Sequence, residues 1–467
     1  MVFSSLTFLC VFLPLTFGLV LLASRWGTAA MNGLLIVASV LFYAYGEPAY
    51  VVLMLASVLA NYAFGLLVGQ GSRWRTVWMV VAVVSNLATL AVFKYAGFMV
   101  ESVNALCRLQ LPVPQLALPL GISFYTFQAL SYVIDVYRGD VASQHRVSRV
   151  LLYISLFPQL VAGPIVKYHD IEEQMEHRTL TPEGAEAGLR RFACGLAKKV
   201  LISNTLAAAV DALFAEAGSL TCAGAWVAAL AYTLQIYFDF SGYSDMAIGL
   251  GRLFGFQFQE NFDHPYVATS IRDFWRRWHI SLSTWFKEYV YIPLGGNRKG
   301  KVRTGVNKCV VFLLCGLWHG ANWTFVIWGA LHGLLQIVEE LTPLRRLPKA
   351  LGHLYTLVFV VLTFVIFRAD SIGQAATVLS TMLSGSAPSG ERGQILLMAQ
   401  LTPAFLTALA AGAVLSMPIG VRVSALLDKS PGLVSQLVRD GLAILLVFLC
   451  VVSLSSGTYN PFIYFRF

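Results

Sequence analysis

Long stretches without a single Asp, Glu, Lys or Arg alternate with short charged connections along this chain. They cover Met1–Ser24, Trp26–Gly46, Pro48–Ser72, Thr76–Phe93, Leu109–Ile134, Ala217–Phe238, Cys309–Val338, Gly393–Val421 and Gly441–Phe465. Most reach the roughly 20 apolar residues that a helix needs to cross a bilayer. Shorter apolar pieces occupy Val150–Val166, Val200–Val210 and Leu354–Phe367. Strand-type alternation is absent, and helices satisfy their own backbone over so many separate crossings. The pattern predicts an all-α, polytopic membrane protein. No basic segment precedes the first run and others follow it at once, so it reads as a retained first helix and not as a cleaved signal peptide.

Composition agrees. Of 467 residues, 57% are hydrophobic and 12% charged, against roughly a quarter charged in soluble domains. The formal net charge of +9 points to topology before it points to nucleic acid, because Lys and Arg collect on the cytoplasmic side of membrane proteins. Loops along the first five runs alternate in this sense and put the N-terminus outside. Arg252–Lys308 holds ten Lys or Arg against four acids and is dense in aromatics, a mixture suited to the cytoplasmic headgroup boundary. Ile271, Phe274, Trp275 and Trp278 recur at helical spacing within it, predicting a short interfacial helix. If Arg345, Arg346 and Lys349 are cytoplasmic too, Cys309–Val338 must enter and leave on one side. Its thirty residues are too few for two full spans, so a re-entrant hairpin with its bend near Trp318–Asn322 is expected. The same parity places Arg422–Arg439 inside and the tail Phe462–Phe467 outside, so both termini are expected to be periplasmic. Lys167–Lys199 reads as a cytoplasmic amphipathic segment. The seven Cys are scattered and mostly apolar in setting, which gives no disulfide framework and no metal motif. With no repeat or appended soluble domain, residues 1–467 read as a single membrane-integral domain.

Three histidines carry the candidate chemistry. His319 stands in an otherwise uncharged run. An ionisable group there tends to face a cavity or a partner, and imidazole suits proton transfer near neutral pH. Read from residue type alone, a functional His319 and a hydrogen-bonded structural one stand about level. His279, forty residues upstream, could orient His319, line a donor channel or donate to an oxyanion, or could simply be solvated beside Arg276 and Arg277. His332 is a rival that residue type does not rank. Asp239 and Asp245 close an apolar helix and could support a catalytic His, although pairing with the arginines of the next loop is the plainer expectation for at least one. Asn322 adds a polar group at the expected bend. The string Gly295–Lys301 could cradle phosphate but lacks a P-loop pattern.

Arg272-Asp-Phe-Trp-Arg-Arg-Trp-His-Ile-Ser281, Tyr291-Ile-Pro-Leu-Gly-Gly296, Trp318-His-Gly320 and Phe157-Pro-Gln-Leu-Val-Ala-Gly-Pro164 occur together in one polytopic chain. In this combination the chain resembles the membrane-bound O-acyltransferase superfamily, within it the bacterial branch that O-acetylates exopolysaccharides such as alginate and cellulose. The resemblance implies a ring of tilted helices with re-entrant segments around a central tunnel. It matches His319 to the family's catalytic histidine and His279 to its second histidine. It further implies acetyl-CoA as the donor substrate with no permanently bound cofactor, and cytoplasmic Arg276, Arg277, Arg298 and Lys299 would suit the phosphates. A periplasmic or membrane-anchored partner of the SGNH-hydrolase type would receive the acetyl group. Phe462, Tyr464, Phe465 and Phe467 of the tail would serve that hand-over, or would act as an interfacial anchor. The bacterial inner membrane is the implied location. The alternatives are D-alanyl transfer from a carrier protein, docked on the same basic loop, and a non-enzymatic transporter of acyl groups or polymer precursor, for which matching broken repeats are missing.

Overall fold

The computed structural model describes residues 1–69, 73–384, 390–429 and 432–457. These residues are helical throughout their regular structure, with no strand among them. Seven helices among them are long and apolar enough to cross a membrane: Phe8–Trp26, Thr28–Gly46, Val51–Gly69, Arg75–Cys107, Pro182–Ala215, Lys349–Arg368 and Leu433–Ser456. The pair Gly390–Gln400 and Pro403–Leu415, bent by 75°, is a candidate broken span. The all-α, polytopic expectation holds. The tail residues 462–467 lie outside the described residues.

The chain packs as two compact units. One comprises Met1–Phe192 with Ser244–Gln259, the other Ala193–Tyr243 with the chain from Glu260 onward. In the first unit, the run expected over Leu109–Ile134 is not one helix. Residues 108–121 are non-helical, and the helix Ile122–Arg138 starts only after Gly121, whose φ of +74° suits a residue without a Cβ. Pro112, Pro114 and Pro119 explain the break, since proline removes backbone donors and biases the preceding residue away from helix. The segment Lys167–Lys199 also divides. Tyr168–Glu176 is a short helix with Tyr168, Ile171 and Met175 buried, as an amphipathic reading requires. From Pro182 onward the residues join a longer helix that runs to Ala215 through a π-turn at Lys198–Ser203.

The second unit contains the expected hairpin. Helix Gly300–His319 and helix Trp323–Leu341 meet at Gly320–Asn322. The bend falls where it is expected, but each arm extends past the uncharged run, to 20 and 19 residues, so the shortness that argued against two full spans does not hold for the helices themselves. Gly320 is extended and ends the first arm, and Asn322 caps the second by accepting from the Thr324 backbone N–H at 3.0 Å. The arms touch backbone to backbone. A Cβ on Gly316 would collide with the Phe325 carbonyl oxygen, and one on Gly329 with that of Phe312. Small residues at such a crossing let helices gain contact without a side chain between them.

Replacing Gly316 with Val should therefore force the arms apart and cost about 1–3 kcal/mol. The check is a lower thermal unfolding midpoint in detergent; an unchanged midpoint would show that the arms are not in this contact.

Candidate functional site

His319 is the last residue of the first hairpin arm and is 4% exposed. Its ring lies edge-on against Trp318, Trp328 and Phe367, with centroids at 5.1, 5.3 and 5.2 Å. Helical carbonyls converge at this arm's C-terminal end, and that end of a helix favours a cation. A proton taken up by His319 would meet this field.

His279 occupies a second helix break. Ser270 caps the helix Ile271–Arg277 by accepting from the Asp273 N–H at 3.0 Å, and Ile271, Phe274 and Trp275 are buried. This is the expected short helix, although it stops before Trp278. His279 then adopts φ 45°, ψ 54° and precedes the helix Ile280–Phe286. A non-glycine residue in this left-handed region is uncommon and carries a conformational cost. The turn delivers an imidazole that is fully buried. Its centroid is 6.3 Å from that of His319, 4.6 Å from Phe240 and 5.7 Å from Trp318. Nδ1 lies 3.1 Å from Asn261 Oδ1, while Nε2 is buried without a hydrogen-bond partner among the described residues. Burial holds this imidazole well below its ordinary pKa, and neighbouring His319 acts in the same direction.

His332 is a different kind of histidine. The Trp275 indole N–H donates to its Nδ1 at 3.1 Å, and its Nε2 lies 3.3 Å from Thr363 Oγ1, which itself donates to backbone carbonyls. Both ring nitrogens are engaged within packed protein. His319 and His279, by contrast, share one aromatic wall, Trp318, and His279 Nε2 has no hydrogen-bond partner among the described residues. That separation ranks the three rings.

The remaining candidates disperse. Asp239 is buried and paired with Lys199, and Ser203 Oγ also donates to it at 3.2 Å. Phe240, the next residue, is the ring against His279, so this pair anchors a wall of the site. Asp245 belongs to the first unit, where Arg191 grips it at 2.9 and 2.6 Å. Both cations come from the helix Pro182–Ala215, whereas the plainer expectation pointed to the downstream arginine loop. Asn322 is engaged as the cap of the second arm and donates to the Asp370 carbonyl at 2.9 Å. Arg277 pairs with Asp273 at 3.1 Å and Asp263 at 3.2 Å. Arg276, Arg298 and Lys299 are exposed, the last two in the turn before the first arm. No group of three or more metal-ligating side chains occurs among the described residues. Asn261, Lys199, Trp328 and Phe367 were missed from sequence. Asn261, Lys199 and Phe367 are each 18 or more residues from His279 and His319, Trp328 lies on the second hairpin arm nine residues after His319, and no motif spacing announces any of them.

A family model described as MBOAT, membrane-bound O-acyltransferase family, matches residues 142–372, which include both histidine breaks. Over 489 aligned residues the chain is 42% identical to the probable alginate O-acetylase AlgI of Pseudomonas putida, covering 100% of each. The chain belongs to the membrane-bound O-acyltransferase family. The probable alginate O-acetylase AlgI of Azotobacter vinelandii is 40% identical, again over 100% of both chains. A peptidoglycan O-acetyltransferase of Helicobacter pylori is 38% identical over 75% of this chain and 73% of its own. This acyltransferase is thus a multi-pass membrane enzyme, grouped as expected with the exopolysaccharide O-acetylating branch, and the non-enzymatic transporter reading is overturned.

Removing one member of a buried ion pair leaves an uncompensated charge and typically costs about 3–5 kcal/mol, while removing both costs far less. Lys199→Met alone should therefore destabilise the acyltransferase strongly, and Lys199→Met with Asp239→Leu should recover much of the loss. Thermal unfolding of the two single variants and the double variant measures the coupling.

Proposed function

We propose that this acyltransferase takes acetyl from cytoplasmic acetyl-CoA and passes it, through a periplasmic or membrane-anchored SGNH-type partner, to an exopolysaccharide, with His319 as catalytic residue. The observation that carries the site assignment is the buried pair His279 and His319, each at a helix break and 6.3 Å apart by centroid. The full-length likeness to alginate O-acetylases supports acetyl as the group and a polysaccharide as the acceptor class. Alginate is the polymer named for those relatives; cellulose is a further acceptor of the same kind. Exposed Arg276, Arg298 and Lys299 suit the phosphates of the donor, and the half-exposed Arg277 shares their loop. We place the enzyme in the bacterial inner membrane with both termini periplasmic, a reading supported by the alternation of loop charges along the chain.

In the reaction, His319 accepts the proton of an acceptor hydroxyl. The freed oxygen attacks the thioester carbonyl, the C–O bond forms, and the C–S bond breaks as the tetrahedral intermediate collapses. The departing thiolate recovers the proton from the His319 imidazolium, so no other reactant is needed. General-base help of this kind contributes about 10²–10⁴ in rate, and the helix C-terminus behind His319 stabilises the imidazolium.

Two substitutions test this reading. His319→Ala should abolish polymer acetylation while the protein still accumulates in the membrane; wild-type acetyl content in the polymer would sink the assignment. Deleting residues 462–467 should block hand-over to the partner without impairing insertion, whereas unchanged acetylation would make the tail an interfacial anchor.

A further inference from the structure

Asn261 sits on no motif, yet it is fully buried, and one of its atoms gathers three hydrogen bonds around His279. Its Oδ1 receives the backbone N–H of Ser281 at 3.3 Å and the Ser281 hydroxyl at 2.9 Å, and it faces His279 Nδ1 at 3.1 Å. Its own carbonyl accepts the Ile280 N–H at 2.9 Å. The Ser281 backbone contact decides the chemistry. A backbone N–H can only donate, so the atom it reaches is the amide oxygen of Asn261 and not the nitrogen. Facing that oxygen, His279 Nδ1 must carry the hydrogen. In a neutral imidazole the other nitrogen then has a lone pair and no proton. That nitrogen, Nε2, is the buried one without a hydrogen-bond partner among the described residues.

We propose that Asn261 is a positioning residue that holds His279 in its Nδ1–H form, so that Nε2 acts only as a hydrogen-bond acceptor toward His319. This deepens the acetyl-transfer reading and rests on it for its catalytic meaning. It removes one role that residue type left open, because a neutral His279 in this form cannot donate from Nε2 to an oxyanion. It assigns another. When His319 takes the hydroxyl proton, both of its nitrogens carry hydrogen, and the N–H not used on the substrate finds its acceptor in His279 Nε2. Two imidazoles joined directly have centroids about 5 Å apart, from an N···N separation of about 3 Å. The observed 6.3 Å is about 1 Å longer, the slack that catalytic hydrogen bonds commonly show before substrate tightens them. The strained backbone of His279 fits this role, since its left-handed turn carries a ring that meets Asn261 at Nδ1 and lies 6.3 Å by centroid from His319.

The test uses the full chain, labelled with ¹⁵N-histidine, in lipid nanodiscs, with His279→Gln to assign the resonance. The wild type should show His279 protonated at Nδ1 and bare at Nε2; a proton on Nε2 overturns the inference. Asn261→Asp keeps the acceptor and adds a negative charge, which raises the His279 pKa. Protonated His279 has no lone pair, so acetyl transfer from radiolabelled acetyl-CoA in membranes should lose activity below a higher pH than in the wild type. An unmoved acid limb counts against the role. Asn261→Leu should lower kcat about tenfold or more with KM for acetyl-CoA little changed, and rescue by Asn261→Asp separates this from misfolding. The failures are distinguishable: an active His319→Ala enzyme sinks the acetyl-transfer site while leaving the tautomer standing. A His279 Nε2–H signal sinks this inference while His319→Ala remains inactive.

Discussion

The backbone contact between the two hairpin arms is the constraint on which the site depends. Gly316 and Gly329 bring carbonyls of the opposite arm to where a Cβ would stand, and this fixes the height and rotation of His319 three residues later. Helix packing at such a distance has little tolerance, because interiors are close-packed and cannot absorb an extra methyl without moving a main chain. Trp328, on the second arm, reaches the His319 ring only because the arms lie this close. The aromatic wall and the imidazole are thus set by one crossing.

Each catalytic candidate is a residue at which a helix stops. His319 ends an arm, where unsatisfied carbonyls favour an imidazolium, and His279 stands in a left-handed turn between two short helices. A helix interior would shield both rings behind neighbouring turns and provide no such field. Support for these breaks comes from polar groups that are themselves paired. Lys199 and Asp239 anchor the helix that presents Phe240, Asn261 holds His279, and Asn322 caps the second arm. In apolar surroundings an unpaired polar group is costly, so these residues are structural requirements of the site as much as chemical ones.

Much of this was legible in the chain. Uncharged runs of spanning length identified a polytopic helical protein, and charge parity located the bend at Trp318–Asn322 within a residue or so of the break. Where hydropathy alone was followed it failed in an understandable way. The run at Leu109–Ile134 is apolar enough to cross but carries three prolines, and its helix begins only at Ile122. Conversely, the charges of Lys167–Lys199 hid the start of a long helix. Lys199 and Arg191 read as cytoplasmic cations, whereas Asp239 and Asp245 take them up. Pairing cancels a charge in space, and a one-dimensional count cannot register it.

Residue type and order by themselves determined the class of protein, most of its helices and three histidines worth asking about, and the shared motifs pointed to the family and to His319 and His279 within it. They could do so because hydrophobic length and motif spacing are local properties, read within a few turns of chain. Only the tertiary structure separated His332, with both nitrogens engaged by Trp275 and Thr363, from His279, with one nitrogen on Asn261 and the other buried beside His319. The function of an imidazole is decided by which atoms meet its two nitrogens. Those atoms lie 18 to 57 residues away in sequence, where composition and periodicity carry no information about contact.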